Sequence, residues 1–268
     1  MTGVYIYDIL SIMNGHPGGI INNLLKIWPK NTVALYPWLL KQGVYRQLSD
    51  QYVRSGWLEK VGRGAFKKAG DKIEWHGALY SLQSYLNLTV HPAGKTALQL
   101  LGYAHFIPVN LEQTKLVLFG TKHEKLPAWF KNNMNFQQTG LRYTATELFS
   151  KDSSAGLTAF QSGDFSIMIS SAERAALEFC YDVPINESYA ELDQIVAGLN
   201  TLRPLTVQSL MENCRSIKAK RLFMHLSEKH RHAWIKNIDL AKVDFGKGKR
   251  SLCKNGRYYS KYQLVVPE

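Results

Sequence analysis

Apolar residues in the first third of the chain recur at helical spacing in short runs that glycine and proline interrupt. Ile20, Ile21, Leu24, Leu25 and Trp28 predict an amphipathic helix that Pro29 ends. Thr32-Val33 predicts a short strand. Pro37 in a first turn and Gly43 just past a last turn bracket a second helix through Trp38, Leu39 and Leu40. Val44, Leu48 and Tyr52 recur every four residues and predict a third helix, closed by Ser55-Gly56, with Tyr45, Arg46, Gln47, Ser49, Asp50 and Arg54 off its apolar stripe. Two helices joined by a short glycine-containing turn form a helix-turn-helix. Directly after it, "WLEKVGRGAFKKAG" alternates about Gly62-Arg63-Gly64 as a two-stranded hairpin does, carrying Lys60, Arg63, Lys67 and Lys68.

Trp75, Leu79, Leu82 and Leu86 predict another amphipathic helix, and beyond it the pattern changes. A helix starts at "GKTALQLL", "KLVLFG" is a buried-strand pattern, and "LPAWFKN" is a short helix with Pro127 in its first turn. "FSIMISSAERAALEFCYDVP" is a strand running into a helix, with Ser171 placed to cap it and Glu173 where the helix dipole favours an acid. Leu210, Ile217, Leu222, Phe223, Leu226 and Trp234 continue the helical spacing; "DFGKGKRSLCKNGRYYSKYQLVV" then predicts a hairpin turning at Asn255-Gly256. Strands and helices mix without regular βαβ alternation, so the fold class expected is α+β. The division expected is an extension over 1–18, a helix-turn-helix domain over 19–90 and a larger mixed domain over 91–268.

Composition adds a partner to this picture. The 268 residues are 45% hydrophobic and 20% charged, as in ordinary globular proteins, with a net charge of +12 and a pI near 9.5. Residues 1–90 contribute +5, residues 91–214 contribute −3 and residues 215–268 contribute +10, which predicts two separate basic surfaces. Such a chain fits a polyanion, nucleic acid ahead of an anionic membrane. A helix-turn-helix followed by a basic hairpin is a winged helix, whose second helix enters the major groove while the hairpin tip lies on phosphates. An isolated basic hairpin is also what a solvated surface looks like; its adjacency to the helix pair favours DNA. The tyrosines Tyr258, Tyr259 and Tyr262, interleaved with Arg257 and Lys261, fit either nucleic-acid contact or the packing of a small sheet.

Reactive chemistry is harder to find. Cys180, Cys214 and Cys253 are odd in number and form no CxxC pair, which argues against both a disulfide framework and a structural zinc site and fits a reducing cytoplasm. His225, His230 and His232 lack partners at metal-ligand spacing and read as surface residues. Gly94-Lys95-Thr96 mimics the end of a phosphate loop, but Thr89 stands where that loop needs a glycine. Asp239 and Asp244 near Lys247 and Lys249 are too loosely ordered for a nuclease set. No catalytic residue, metal or cofactor is expected, nor a leader peptide or membrane span.

"GVYRQLSDQYVRSGWLEKVGRGAFKKAGDKIEWHGALYSLQ", followed in order by "GKTALQLLGYAHFIP", "LVLFG" and "LPAWFK", resembles the AbiEi antitoxin family of bacterial type IV toxin–antitoxin systems. The resemblance runs from about residue 19 to about residue 250; the residues before Gly18 depart from it, and Met13 is an alternative start. It implies a cytoplasmic bacterial protein whose winged helix represses its own operon at promoter inverted repeats. The C-terminal domain would neutralise a nucleotidyltransferase-like toxin without a stable complex. Carried onto this chain, the DNA-reading positions are Tyr45, Arg46, Gln47, Ser49 and Asp50, with Arg63, Lys67 and Lys68 on the wing. Charge alone nominates Lys218, Lys220, Arg221, Lys249 and Arg250 as the antitoxin surface. A regulator without a toxin partner and a nucleic-acid-processing enzyme are the alternatives.

Overall fold

A computed structural model describes residues 17–103, 115–132, 140–150 and 154–268, so nearly all of the expected N-terminal extension lies outside the described residues. The chain divides into two compact units. The first takes the described residues up to Leu88 together with the segments Lys125–Gln138 and Phe160–Ile167, and the second takes Thr89–Glu124, Thr139–Ala159 and Met168–Glu268.

In the first unit α1 spans Pro17–Ile27 and buries Ile21 and Leu24, with Trp28 just beyond its end. β1 (Ala34–Leu35), α2 (Tyr36–Lys41), α3 (Arg46–Arg54), β2 (Leu58–Gly62) and β3 (Ala65–Lys68) follow. The strands form one sheet in the order β1-β3-β2, antiparallel throughout. Leu24, Trp28, Leu39, Val44, Leu48, Tyr52, Leu58 and Phe66 meet in a shared core. The spacing that predicted α3 is thus the spacing that buries it.

The strand expected at Thr32-Val33 forms two residues later, because the Thr32 side chain and the Val33 backbone are engaged elsewhere. Thr32 donates its hydroxyl to the Pro29 carbonyl and accepts from the Trp28 indole, at 2.8 and 3.0 Å. Val33 is held by Ser81, whose Oγ accepts from its amide at 3.2 Å and donates to its carbonyl at 2.5 Å. Ser81 belongs to α4 (Trp75–Leu86), the expected amphipathic helix.

The second unit is mixed. β4 (His91–Pro92) is followed by α5 (Gly94–Leu100) and β5 (Leu116–Gly120), the fully buried strand that its apolar run predicted. α6 (Ala128–Lys131) counts with the first unit. β6 (Leu141–Ala145) pairs with β5 in parallel, giving the sheet order β4-β5-β6. β7 (Leu157–Ser162) and β8 (Phe165–Ser170) form a separate pair. α7 (Ala172–Asp182) is buried along most of its length, and α5, α9 (Pro204–Asn213) and α10 (Ile217–Lys229) pack around it; α8 (Tyr189–Ala197) completes the helices.

Ser171 stands at the N-cap of α7, but its hydroxyl makes no capping bond. The Gly94-Lys95-Thr96 run is structural: the Gly94 amide donates to Glu178 at 3.1 Å, Lys95 pairs with Glu191, and Thr96 Oγ1 accepts from the Val117 amide at 2.9 Å.

The C-terminal hairpin differs from the expectation. β10 (Arg257–Tyr259) turns back through Ser260–Gln263 onto β11 (Leu264–Val266), and β9 (Arg250–Ser251) lies parallel on the other side of β11. The Asn255-Gly256 dipeptide therefore links two strands that do not pair with each other. The cause is apolar content: Leu264-Val265-Val266 is the buried triplet and takes the centre, while the exposed basic strands take the edges.

Candidate nucleic-acid interface

α3 is anchored by Leu48 and Tyr52, which turns Arg46, Gln47, Gln51 and Arg54 to solvent. Tyr45, at its N-cap, is half exposed. Ser49 departs from the expectation of a DNA-reading position: it is 1% exposed, and its Oγ donates to the Arg46 carbonyl at 2.7 Å. One residue on from Leu48, it shares the inward face. Asp50 lies on the helix edge, and Lys60 of β2 reaches it at 3.0 Å. Hydrogen bonding and charge from that ammonium hold the Asp50 carboxyl below its ordinary value. The pair is exposed, so it aligns the hairpin with the helix more than it stabilises either.

The two glycines flanking Arg63 serve different ends. Gly64 has φ of +70°, a left-handed conformation that closes the turn, and its carbonyl accepts from the Tyr36 amide at 2.8 Å. Gly62 gives close approach: a Cβ there would lie 2.6 Å from Trp129 Cβ, so α6 packs directly on the hairpin backbone. Arg63 is left exposed at the tip. A cleft of about 310 Å³ separates the tip from α3; Arg46, Ser49 and Asp50 line it on the helix side, facing Lys60 and Arg63.

The hairpin lysines are less available than the sequence implied. Lys67 pairs with Glu59 at 2.8 Å and donates to the Asp71 carbonyl at 2.8 Å. Lys68 turns inward, donates to the Leu25 and Trp28 carbonyls at 3.0 and 2.5 Å and lies over the Trp28 ring. It caps α1, where the helix dipole favours a cation, and burial lowers its pKa. A phosphate contact by Lys68 would uncap that helix. Gln51, one turn beyond Gln47 on the exposed face, escaped the sequence reading although its spacing was there to find.

The second basic set divides as well. Arg221 is 2% exposed and clamps the C-terminal loop, donating to the carbonyls of Phe245, Gly246, Gly248 and Gln263 at 2.8, 3.0, 2.6 and 3.3 Å. Lys218 donates to the Tyr181 carbonyl at 2.6 Å and to that of Val183, at the end of α7. Lys220 is buried. These three therefore correct the expectation of a cationic surface; Lys249 and Arg250 are exposed.

His225 and His232, expected at the surface, are buried, and burial lowers the pKa of both. Asp239 and Asp244 accept from the Ala241 and Gly246 amides at 3.1 and 2.7 Å and so close turns. Among the described residues no group of three or more His, Cys, Asp or Glu is placed to hold a metal.

The second unit also contains a buried ionic knot. Glu178 accepts from Ser170 Oγ at 2.7 Å, Arg174 Nε at 2.8 Å and the Gly94 amide at 3.1 Å, with His91 Nε2 at 3.3 Å. Burial would raise its pKa; Arg174 and His91 more than offset that and hold it low. A cleft of about 230 Å³ beside it is lined by His91, Arg174 and Arg215, and Arg215 is paired with Glu147 at 2.6 Å. With these groups committed to one another, the knot holds β4, β8 and α7 together.

Residues 19–109 match a family described as transcriptional regulator, AbiEi antitoxin N-terminal domain, and residues 113–267 match one described as transcriptional regulator, AbiEi antitoxin, type IV TA system. Among solved structures, the RV2827C protein from Mycobacterium tuberculosis is similar over 92% of this chain and 89% of its own, with a TM-score of 0.55 and 16% identity. At that identity the likeness concerns the fold alone. No curated protein sequence matched the chain.

Proposed function

The chain belongs to the AbiEi family of antitoxins and transcriptional regulators of type IV toxin–antitoxin systems, and on that premise we propose that its first unit is a winged helix that binds inverted repeats in its own promoter and represses the operon. The observation that carries this reading is the exposed face of α3, which presents Arg46, Gln47, Gln51 and Arg54 to solvent, with Arg46 facing the Arg63 tip across an open cleft. Arginine and glutamine are suited to base edges, and an arginine on a hairpin tip to phosphate. Lys68 has no part in this interface, and Ser49 enters it only as a wall of the cleft, its hydroxyl committed to the Arg46 carbonyl.

Binding of the purified protein to upstream promoter duplex, against scrambled duplex across a salt series, tests it. A preference of about 10³-fold or more at physiological salt is expected of an operator reader. Equal, salt-labile affinity for both duplexes would reduce the interface to a basic surface.

The second unit is proposed to neutralise a nucleotidyltransferase-like toxin without a stable complex, with Lys249 and Arg250 as the two exposed members of the nominated cationic set. Co-expression with an adjacent toxin-like gene separates this from a regulator without a toxin: growth rescue that survives Arg63→Ala supports the antitoxin.

A further inference from the structure

The small sheet β9–β11 has a composition unlike the rest of the molecule. Between Phe245 and Pro267 the sequence has no Asp or Glu, yet it contains Lys247, Lys249, Arg250, Lys254, Arg257 and Lys261. Lys261 is paired with Glu228 at 2.5 Å. Among the described residues no ion pair engages the other five, all of which are exposed. Like charges held this close repel, so an uncompensated group of them calls for an external anion.

The aromatic residues narrow the class of anion. Tyr258, on edge strand β10, is 50% exposed, and Lys249 Nζ lies 5.4 Å from its ring centroid. On the same strand Arg257 lies over Tyr259 at 5.5 Å. A duplex hides the faces of its bases in its own stack and offers an exposed tyrosine ring nothing to pair with. A single strand presents those faces, and a cationic surface with an accessible ring takes both its phosphates and a base. We propose that the outer face of β9–β11 binds single-stranded nucleic acid, with Tyr258 stacking a base and Lys249, Arg250 and Arg257 meeting the backbone. This is a second site, separate in sequence and chemistry from the α3 interface, and it does not depend on the operator reading.

The test is fluorescence anisotropy of the full chain with a labelled U12 RNA, a labelled T12 DNA and a mixed-sequence 12-base-pair duplex. Tyr258 is half exposed, so Tyr258→Ala leaves the core intact, and Tyr258→Phe keeps the ring as a control. The expected result is single-strand binding that Tyr258→Ala weakens about 10-fold and Tyr258→Phe preserves, with duplex affinity unchanged. Lys249→Ala should weaken the single strand and lower its salt slope by about 0.7. U12 binding more tightly than T12 would assign the site to RNA through the 2′-hydroxyl, and equal binding to single strands in general. Absence of single-strand binding, an unchanged affinity in Tyr258→Ala, or equal loss in an Arg46→Ala Arg63→Ala variant would each overturn the proposal.

Discussion

Single residues of like charge do unlike things in this protein, and burial sorts them. Arg46 and Gln47 are exposed, so replacing either with alanine should leave stability unchanged and cost about 1–3 kcal/mol of binding, mainly on the operator. Competition with scrambled duplex reads that difference. Arg63→Ala should weaken every duplex alike and reduce the salt slope by about one. Lys68→Ala should behave differently: with its ammonium bonded to the carbonyls of Leu25 in α1 and Trp28 just beyond it, about 1.5–3 kcal/mol of stability should be lost in urea unfolding.

Glu173 supplies a pH signature. Burial alone would raise its carboxyl, but the Arg203 side chain and amide more than offset this and hold it at about 2, against an ordinary 4.5. A depressed folded value stabilises the fold above the ordinary value and loses that effect as pH falls toward 2. The urea midpoint of Arg203→Ala should therefore lie below that of the unaltered chain at neutral pH and converge on it between about pH 4.5 and 2.

At the level of elements, the hairpin is set by what packs on it as much as by its own turn. Gly62 faces Trp129 of α6, whereas a Cβ on Gly64 would meet only Tyr36 Cβ at an ordinary 3.7 Å. Gly64→Ala should cost about 1–2 kcal/mol from its positive φ. Gly62→Ala adds to an overpacked contact the displacement of the tip, so it should weaken duplex binding more than Gly64→Ala does. Anisotropy and urea unfolding on both variants check the order; the reverse order would mean that the hairpin does not depend on α6. The sequence marked both glycines as turn residues and α6 as a short helix, but the 66 residues that separate Gly62 from Trp129 hid their contact. The C-terminal sheet is the converse case. Its Asn-Gly signal was local and real, and it lost to the burial of Leu264-Val265-Val266, which needed partners on both sides.

For the whole molecule, the matched families meet between residues 109 and 113, but the compact units do not follow that cut. Lys125–Gln138 and Phe160–Ile167 belong spatially to the first unit, where Phe160 and Phe165 lie near His76 and Tyr80 of α4 at 6.4 and 5.1 Å. A fragment over 19–109 lacks both segments and uncovers that aromatic face. Its melting temperature should fall below that of the first transition of the full chain, and a fragment that melts at the same temperature would show the two segments to be dispensable.

Spacing of apolar residues by itself determined α1, α2, α3, the β2–β3 hairpin, α4 and the buried strand β5, because each is a local period that buries one face. The order of motifs determined the family. Only the tertiary structure decided which cations are free. Lys68, Lys218 and Arg221 have the same side-chain chemistry as Arg63 and Lys249, but each ends at a backbone carbonyl that the fold brings to it, while the other two meet solvent. Whether a charge is used inside or left for a partner depends on neighbours distant in sequence, and no local pattern encodes that.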